Sequence, residues 1–99
     1  MLLVNVKRNN NIIEYVKFKG HALYDDYGKD IVCASASSIY ITSVNAILSF
    51  DKTAISYNDS NEVVNLKKDN ITNTLLNNMV SMLKSLETDY KKNIKIVEE

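Results

Sequence analysis

The stretch DIVCASASSIYITSVNAILSF, residues 30 to 50, determines how the rest of this 99-residue chain can be arranged. It is too long for a strand and rich in small residues, and Asp30 stands where a helix N-cap is expected. Its apolar residues recur at roughly helical spacing, at Val32, Ala36, Ile39, Ile47 and Phe50. Because its β-branched residues lower helix propensity, burial must stabilise this helix. A helix that is apolar around much of its circumference is buried on several sides, which predicts a dimer interface.

Strands are predicted on both sides of this helix. Segments that alternate apolar and polar residues are found at 2–7, 12–19, 53–57, 62–67 and 93–98. The intervening RNNN and NDSN are typical of turns, so the chain is expected to form two hairpins and a closing strand. The first hairpin ends at Gly20.

A second helix is predicted at residues 70 to 90, which are clearly amphipathic. We expect one face to contain Ile71, Leu75, Met79, Met82, Leu83, Leu86 and Tyr90. The element order is therefore ββαββαβ. It predicts an α+β fold, a single two-layer domain spanning residues 1–99 in which two helices pack on one sheet.

Composition excludes several classes of protein. Hydrophobic residues make up 45% of the chain and charged residues 24%, as in globular domains. Twelve basic residues balance twelve acidic ones, so no direct nucleic-acid binding is expected, although a local basic patch is not excluded. The first residues lack the pattern of a signal peptide, and no apolar run is expected to cross a bilayer. We therefore expect a cytoplasmic protein.

The one histidine and the one cysteine lie close together in GHALYDDYGKDIVCASAS, residues 20–37. Cys33 falls in the first turn of the predicted helix, where backbone N–H groups and the helix dipole favour an anion and hence the thiolate. His21 directly follows the second strand, and an imidazole can accept a thiol proton in covalent catalysis. A lone cysteine is also often a buried small hydrophobe, and Ser37, one turn later, faces the same site or merely allows close packing.

The residues between His21 and Cys33 are expected to form a loop over the site. Gly28 is its predicted point of flexure, and the side chains available to cover a substrate are Leu23, Tyr24 and Tyr27. One histidine and one cysteine are too few for a zinc site, and we expect neither a metal nor another cofactor.

These residues resemble the ribosomal-processing cysteine proteases, the Prp family. That family's signature is Gly-His-Ala, a short variable loop, and then Gly-x-Asp-Ile-Val-Cys followed by small residues. Here it stands as GHA at 20–22 and GKDIVCA at 28–34, followed by SVNAI at 43–47. The length and element order also fit, so the resemblance covers essentially the whole chain. The loop LYDDY is bulkier than in relatives with small residues there.

The resemblance implies a homodimeric bacterial cysteine endopeptidase of the cytoplasm. Such enzymes remove an N-terminal extension from a large-subunit ribosomal protein, cutting after two aromatic residues, a step needed for ribosome assembly. It implies that Cys33 is the nucleophile and His21 the general base and acid. Asp30 matches the family's aspartate, which orients His21 or only caps the helix. The supporting positions that match are Gly20, Gly28 and Ser37.

Two other interpretations stay open. The first is a non-catalytic ribosome-associated module that binds a peptide or RNA in the same groove. The second is a structural protein whose first helix serves only for dimerisation, with Cys33 buried and unreactive.

Overall fold

Five strands and two helices follow one another in the predicted order ββαββαβ. A computed structural model of the protein describes residues 1–20, 30–58 and 61–99. The elements are β1 (Leu2–Asn9), β2 (Ile12–Lys19), α1 (Ile31–Phe50), β3 (Ile55–Tyr57), β4 (Glu62–Asn65), α2 (Asn70–Asp89) and β5 (Ile94–Glu98). The α+β prediction is confirmed, with strand ends shifted by at most two residues.

The strands form one mixed sheet in the order β3-β4-β2-β1-β5. Only the β1–β5 pair is parallel among the described strands; the other neighbours are antiparallel. Buried and less buried residues alternate along β1, where Val4 and Val6 are fully buried. Both helices pack on this buried face. The opposite face of the sheet carries no helix from the described part of the chain.

A tight turn at Asn10 and Asn11 joins β1 to β2. Both residues have positive φ, 53° and 68°, and Asn9 pairs with Ile12 across the turn. Two successive positive φ values are typical of a type I′ hairpin turn, which suits the right-handed twist of the strands. Asparagine tolerates this conformation better than most residues. The turn predicted from RNNN is therefore confirmed.

A β-bulge interrupts the β1–β2 ladder after this turn. The register shifts between Lys7 and Arg8. Next to the bulge, both hydrogen-bonding groups of the Ile13 main chain bind to side-chain amides. The Ile13 N–H donates to Asn73 Oδ1 at 2.9 Å, and the Ile13 carbonyl accepts from Asn65 Nδ2 at 2.9 Å. Asn65 is itself buried, and its Oδ1 accepts from the Lys68 N–H at 2.8 Å. These amides connect the bulge to β4 and α2.

Replacing Asn65 with leucine is expected to lower the free energy of unfolding by about 2–3 kcal/mol. The leucine leaves the Ile13 carbonyl and the Lys68 N–H without their partner, and a buried unsatisfied group costs about 1–3 kcal/mol. Urea unfolding followed by circular dichroism measures the change. Asn70→Ala, at an exposed position, is the matched control. Equal stability of Asn65→Leu and wild type would contradict this account.

Helix α2 packs mostly with the predicted face. Its buried residues are Thr72, Leu76, Met79, Val80 and Leu83. The predicted face was right for Met79 and Leu83, which are buried, and for Leu75, Leu86 and Tyr90, which are partly buried against the core. It was wrong for Ile71 and Met82, which are exposed. The apolar arc of α2 is broad, and contacts with α1 and the sheet select which part of it is covered.

Helix α1 packs against the same core. Its buried apolar residues are Val32, Ala36, Tyr40, Val44 and Ile47. Of the apolar residues noted at helical spacing, Ile39 is partly buried against this core, whereas Phe50 ends the helix and is 62% exposed.

The expectation that no apolar run could cross a bilayer was wrong for α1. Among the described helices, α1 is long and apolar enough to do so by length and composition alone. In the fold, however, Val32 and Ile47 are almost completely buried in the protein. A core helix meets the same criterion of length and composition.

Candidate active site

Cys33 lies in the first turn of α1, as predicted. Its side chain is half-buried and packs against the edge of the hydrophobic core. It is therefore neither the fully buried residue expected of a purely structural role nor a fully exposed one. The helix holds the Cα of Cys33 at a fixed place, which a nucleophile requires.

Asp30 caps α1, and this prediction is confirmed. Its Oδ1 accepts hydrogen bonds from the N–H groups of Val32 at 2.9 Å and Cys33 at 3.0 Å. Its main-chain carbonyl accepts from the Ala34 N–H at 3.1 Å. Two of the N–H groups expected to favour an anion at Cys33 are thus engaged by a carboxylate of this chain. The first-turn environment differs in this respect from the one predicted.

Two substitutions separate the capping role of Asp30 from a role of its charge in catalysis. Asp30→Ala is expected to lower the free energy of unfolding by about 1 kcal/mol, whereas Asp30→Asn, which keeps an acceptor oxygen, is expected to retain stability. Thermal unfolding of the two variants tests this. A stable Asp30→Asn variant that no longer cleaved peptides would show that the charge acts beyond the cap.

Gly20 directly follows β2 and has a conformation that only glycine adopts readily. Its φ is +84°, and a Cβ built on it would lie 2.6 Å from the Met1 carbonyl oxygen. Side chains are disfavoured both by this angle and by the close approach of the main chain. The residue before His21 is therefore a glycine for a structural reason. Its supporting role in a site stays a prediction.

An aromatic pair connects the strand that leads to Gly20 with the helix that carries Cys33. The rings of Phe18 in β2 and Tyr40 in α1 meet edge to face, with centroids 5.2 Å apart. The Tyr40 hydroxyl is within hydrogen-bonding distance of the carbonyls of Asn58, at 2.6 Å, and Glu62, at 2.8 Å. This pair could not be predicted from the sequence, because its two residues are distant in the chain.

Ser37 lies one helical turn after Cys33 and is exposed. Residues four apart lie on the same side of a helix, so its predicted position beside Cys33 fits the backbone. The predicted residues His21, Leu23, Tyr24, Tyr27 and Gly28 lie outside the described residues, and their roles stay predictions. No cluster of three or more potential metal ligands occurs within 1–20, 30–58 and 61–99.

Comparison with known proteins establishes the family. The sequence model of the family described as cysteine protease Prp matches residues 1–95. The chain belongs to the Prp family. This confirms the resemblance drawn from GHA and GKDIVCA, and it makes the chain a cysteine protease by family.

Prp proteins of known sequence and structure match over nearly the full length. The ribosomal processing cysteine protease Prp of Staphylococcus aureus strain Mu50 is 32% identical over 103 residues, covering 97% of each chain. A crystal structure of the essential ribosomal processing protease Prp from S. aureus, with a covalently linked product peptide, superposes with a TM-score of 0.90. It is 30% identical, and each chain is covered completely. Its complex with a substrate peptide gives 0.84 at 29% identity, again over both whole chains.

Proposed function

We propose that this Prp-family chain is an endopeptidase that removes the N-terminal extension of a large-subunit ribosomal protein in the bacterial cytoplasm. One observation carries the proposal: the chain matches, over nearly all of both lengths, a protein named for ribosomal processing. That relative has been crystallised with a substrate peptide and with a covalently linked product peptide. A covalent peptide adduct is the expected intermediate of a cysteine nucleophile.

In the proposed mechanism, His21 takes the thiol proton of Cys33, and the sulfur attacks the carbonyl carbon of the scissile bond. The tetrahedral intermediate collapses as His21 gives this proton to the departing amine, which leaves a thioester on Cys33. Water then attacks the thioester carbonyl and gives a proton to His21. That proton returns to the sulfur as the carboxylic acid product leaves, and the acid then loses its own proton to water.

The oxyanion needs donors that the cap of α1 does not already use. The N–H groups of Val32 and Cys33 donate to Asp30. The N–H of Ile31 makes no hydrogen bond within the described residues and is the remaining donor of the first turn. We propose that this N–H donates a hydrogen bond to the oxyanion of the tetrahedral intermediate. We expect the other donors to reach the oxyanion only when the substrate is bound.

Mass spectrometry of the precursor ribosomal protein from the same organism, incubated with the purified chain, tests the function. We expect a single cut after a pair of aromatic residues. If the folded chain made no cut, the endopeptidase function would be wrong. Binding of the same precursor without cleavage would then favour a peptide-binding module.

We also propose a homodimer formed through the exposed side of α1. Ile41 is 53% exposed in the middle of this helix, with small or polar exposed neighbours such as Ser37 and Asn45. An apolar side chain amid small residues allows a second helix to approach closely.

Ile41→Arg is therefore expected to convert the dimer to a monomer in analytical ultracentrifugation. Ile71→Arg, on the exposed side of α2, is the matched control. A monomeric wild type, or a dimer that survives Ile41→Arg, would refute this interface.

A further inference from the structure

The face of the sheet without helices carries several lysines, which strand register brings together. Lys19 of β2 and Lys95 of β5 both pair with Leu3 of β1, one from each side. Two residues before Lys19, Lys17 pairs with Asn5. Alternate residues of a strand point to the same face, so Lys17 and Lys19 lie on the same face of the sheet. We call this surface the lysine face. Its polar and aromatic members are Lys7, Lys17, Lys19, Lys95, Asn5, Tyr15 and Glu62, and it also contains Leu3 and Val97.

Its cations are only partly neutralised by neighbouring acids. Lys17 forms an ion pair with Glu62 at 3.2 Å. Lys7, Lys19 and Lys95 make no ion pair within 4 Å in the part of the chain that the structure describes. The lysine face therefore retains a positive balance although the whole chain has no net charge.

Among the described residues, two further acids lie near one end of the lysine face. Glu14 lies at the bulge and pairs with Lys68 at 3.8 Å. Glu99 follows β5 beside Val6, whose carbonyl accepts its N–H at 2.8 Å. Both lie toward the Lys7 end.

The other end is more basic. There, the shallow cleft next to Lys95 is also lined by Met1 and Lys91. The one described acid in this cleft, Glu87, accepts a hydrogen bond from the Ile96 N–H at 2.7 Å. The positive charge of the face is therefore concentrated around Lys19 and Lys95.

We propose that the lysine face binds the backbone of single-stranded RNA, with its basic end around Lys19 and Lys95 as the main phosphate contact. A sheet face that combines dispersed cations with an aromatic ring suits a chain that has a phosphate at every unit and bases that can stack. Tyr15 supplies the ring, with the Lys17 ammonium 5.5 Å from its centroid.

An acidic polypeptide fits this face less well. Carboxylates are bound most specifically by the bidentate guanidinium of arginine. The only arginine of the chain, Arg8, instead donates to Asn77 and Glu98 away from this face. Lysines act as point charges and favour binding without sequence preference. This proposal is separate from the proteolytic site and departs from the expectation, based on net charge, of no nucleic-acid binding.

Fluorescence anisotropy with a short labelled oligouridine tests the proposal. If about three phosphates are neutralised, a plot of log Kd against log salt concentration should have a slope of about 2. Binding should therefore be roughly twentyfold weaker at about 200 mM salt than at about 50 mM. Lys95→Glu should weaken binding and reduce this salt dependence by about one unit. Lys52→Glu, in the turn after α1, makes the same change of net charge elsewhere and should bind as wild type does.

Three results would overturn the proposal. They are no saturable binding at the lower salt concentration, equal weakening by Lys52→Glu, and competition by polyglutamate as effective as that by unlabelled RNA. The last result would assign the face to acidic polypeptides. If circular dichroism showed that Lys95→Glu disturbs the fold, Lys95→Gln would replace it, with the same order of affinities expected.

Discussion

Replacing Cys33 with alanine is expected to abolish cleavage of the precursor, lowering the rate by about a thousandfold or more. The thiol is the proposed nucleophile, and no other cysteine in the chain can replace it. The fold should survive, because Cys33 is only half-buried and its removal deletes one sulfur atom at the edge of the core. We expect a stability loss of about 1 kcal/mol at most. The rate is measured by mass spectrometry and the stability by urea unfolding.

Ser56→Ala is the control for this experiment, since it also removes one polar atom, at an exposed position of β3. It should cleave as wild type does. Cleavage by Cys33→Ala at more than about a hundredth of the wild-type rate would exclude Cys33 as the nucleophile. Loss of cleavage together with loss of the folded state would call for Cys33→Ser, which keeps the shape of the side chain.

Replacing Gly20 with alanine is expected to lower the free energy of unfolding by about 2–4 kcal/mol. An alanine at φ +84° is strained, at a cost of about 1–3 kcal/mol. Its Cβ would also lie 2.6 Å from the carbonyl oxygen of Met1. That oxygen belongs to the main chain next to Leu2, whose N–H donates to the Asn93 carbonyl at 2.9 Å, so it cannot move without disturbing the start of β1. Denaturant midpoints measure the loss.

Lys19→Ala, at the exposed neighbouring position, controls for a general effect of substitution at the end of β2. We expect it to change stability by less than about 0.5 kcal/mol. Gly20→Ala should also cleave more slowly under conditions where it is folded, because any shift of the main chain at Gly20 displaces His21. A Gly20→Ala variant as stable as wild type would show that the end of β2 and Met1 adjust without strain.

Much of the candidate site could be predicted because its determinants are local. Asp30 caps α1 through N–H groups two and three residues away, so a short sequence window contains both partners. The turn at Asn10 and Asn11 is local in the same way. The spacing that places Cys33 in the first turn follows directly from the cap. The hydrogen bond from the Cys33 N–H to Asp30 was not predicted, because an N-cap side chain can accept from more than one N–H group of the first turn.

Contacts between distant segments could not be predicted. The sequence determined the element order, the cap and the motif of the Prp family, since each depends on residues close together in the chain. Only the tertiary structure decided which part of α2 is buried, that Tyr40 meets Phe18, and that Asn65 and Asn73 satisfy Ile13 at the bulge. The same holds for the lysine face, where β1 brings Lys19 and Lys95 to either side of Leu3 although 76 positions separate them in the chain. Helix rotation and strand register depend on the packing of the whole core, and local patterns do not contain that information.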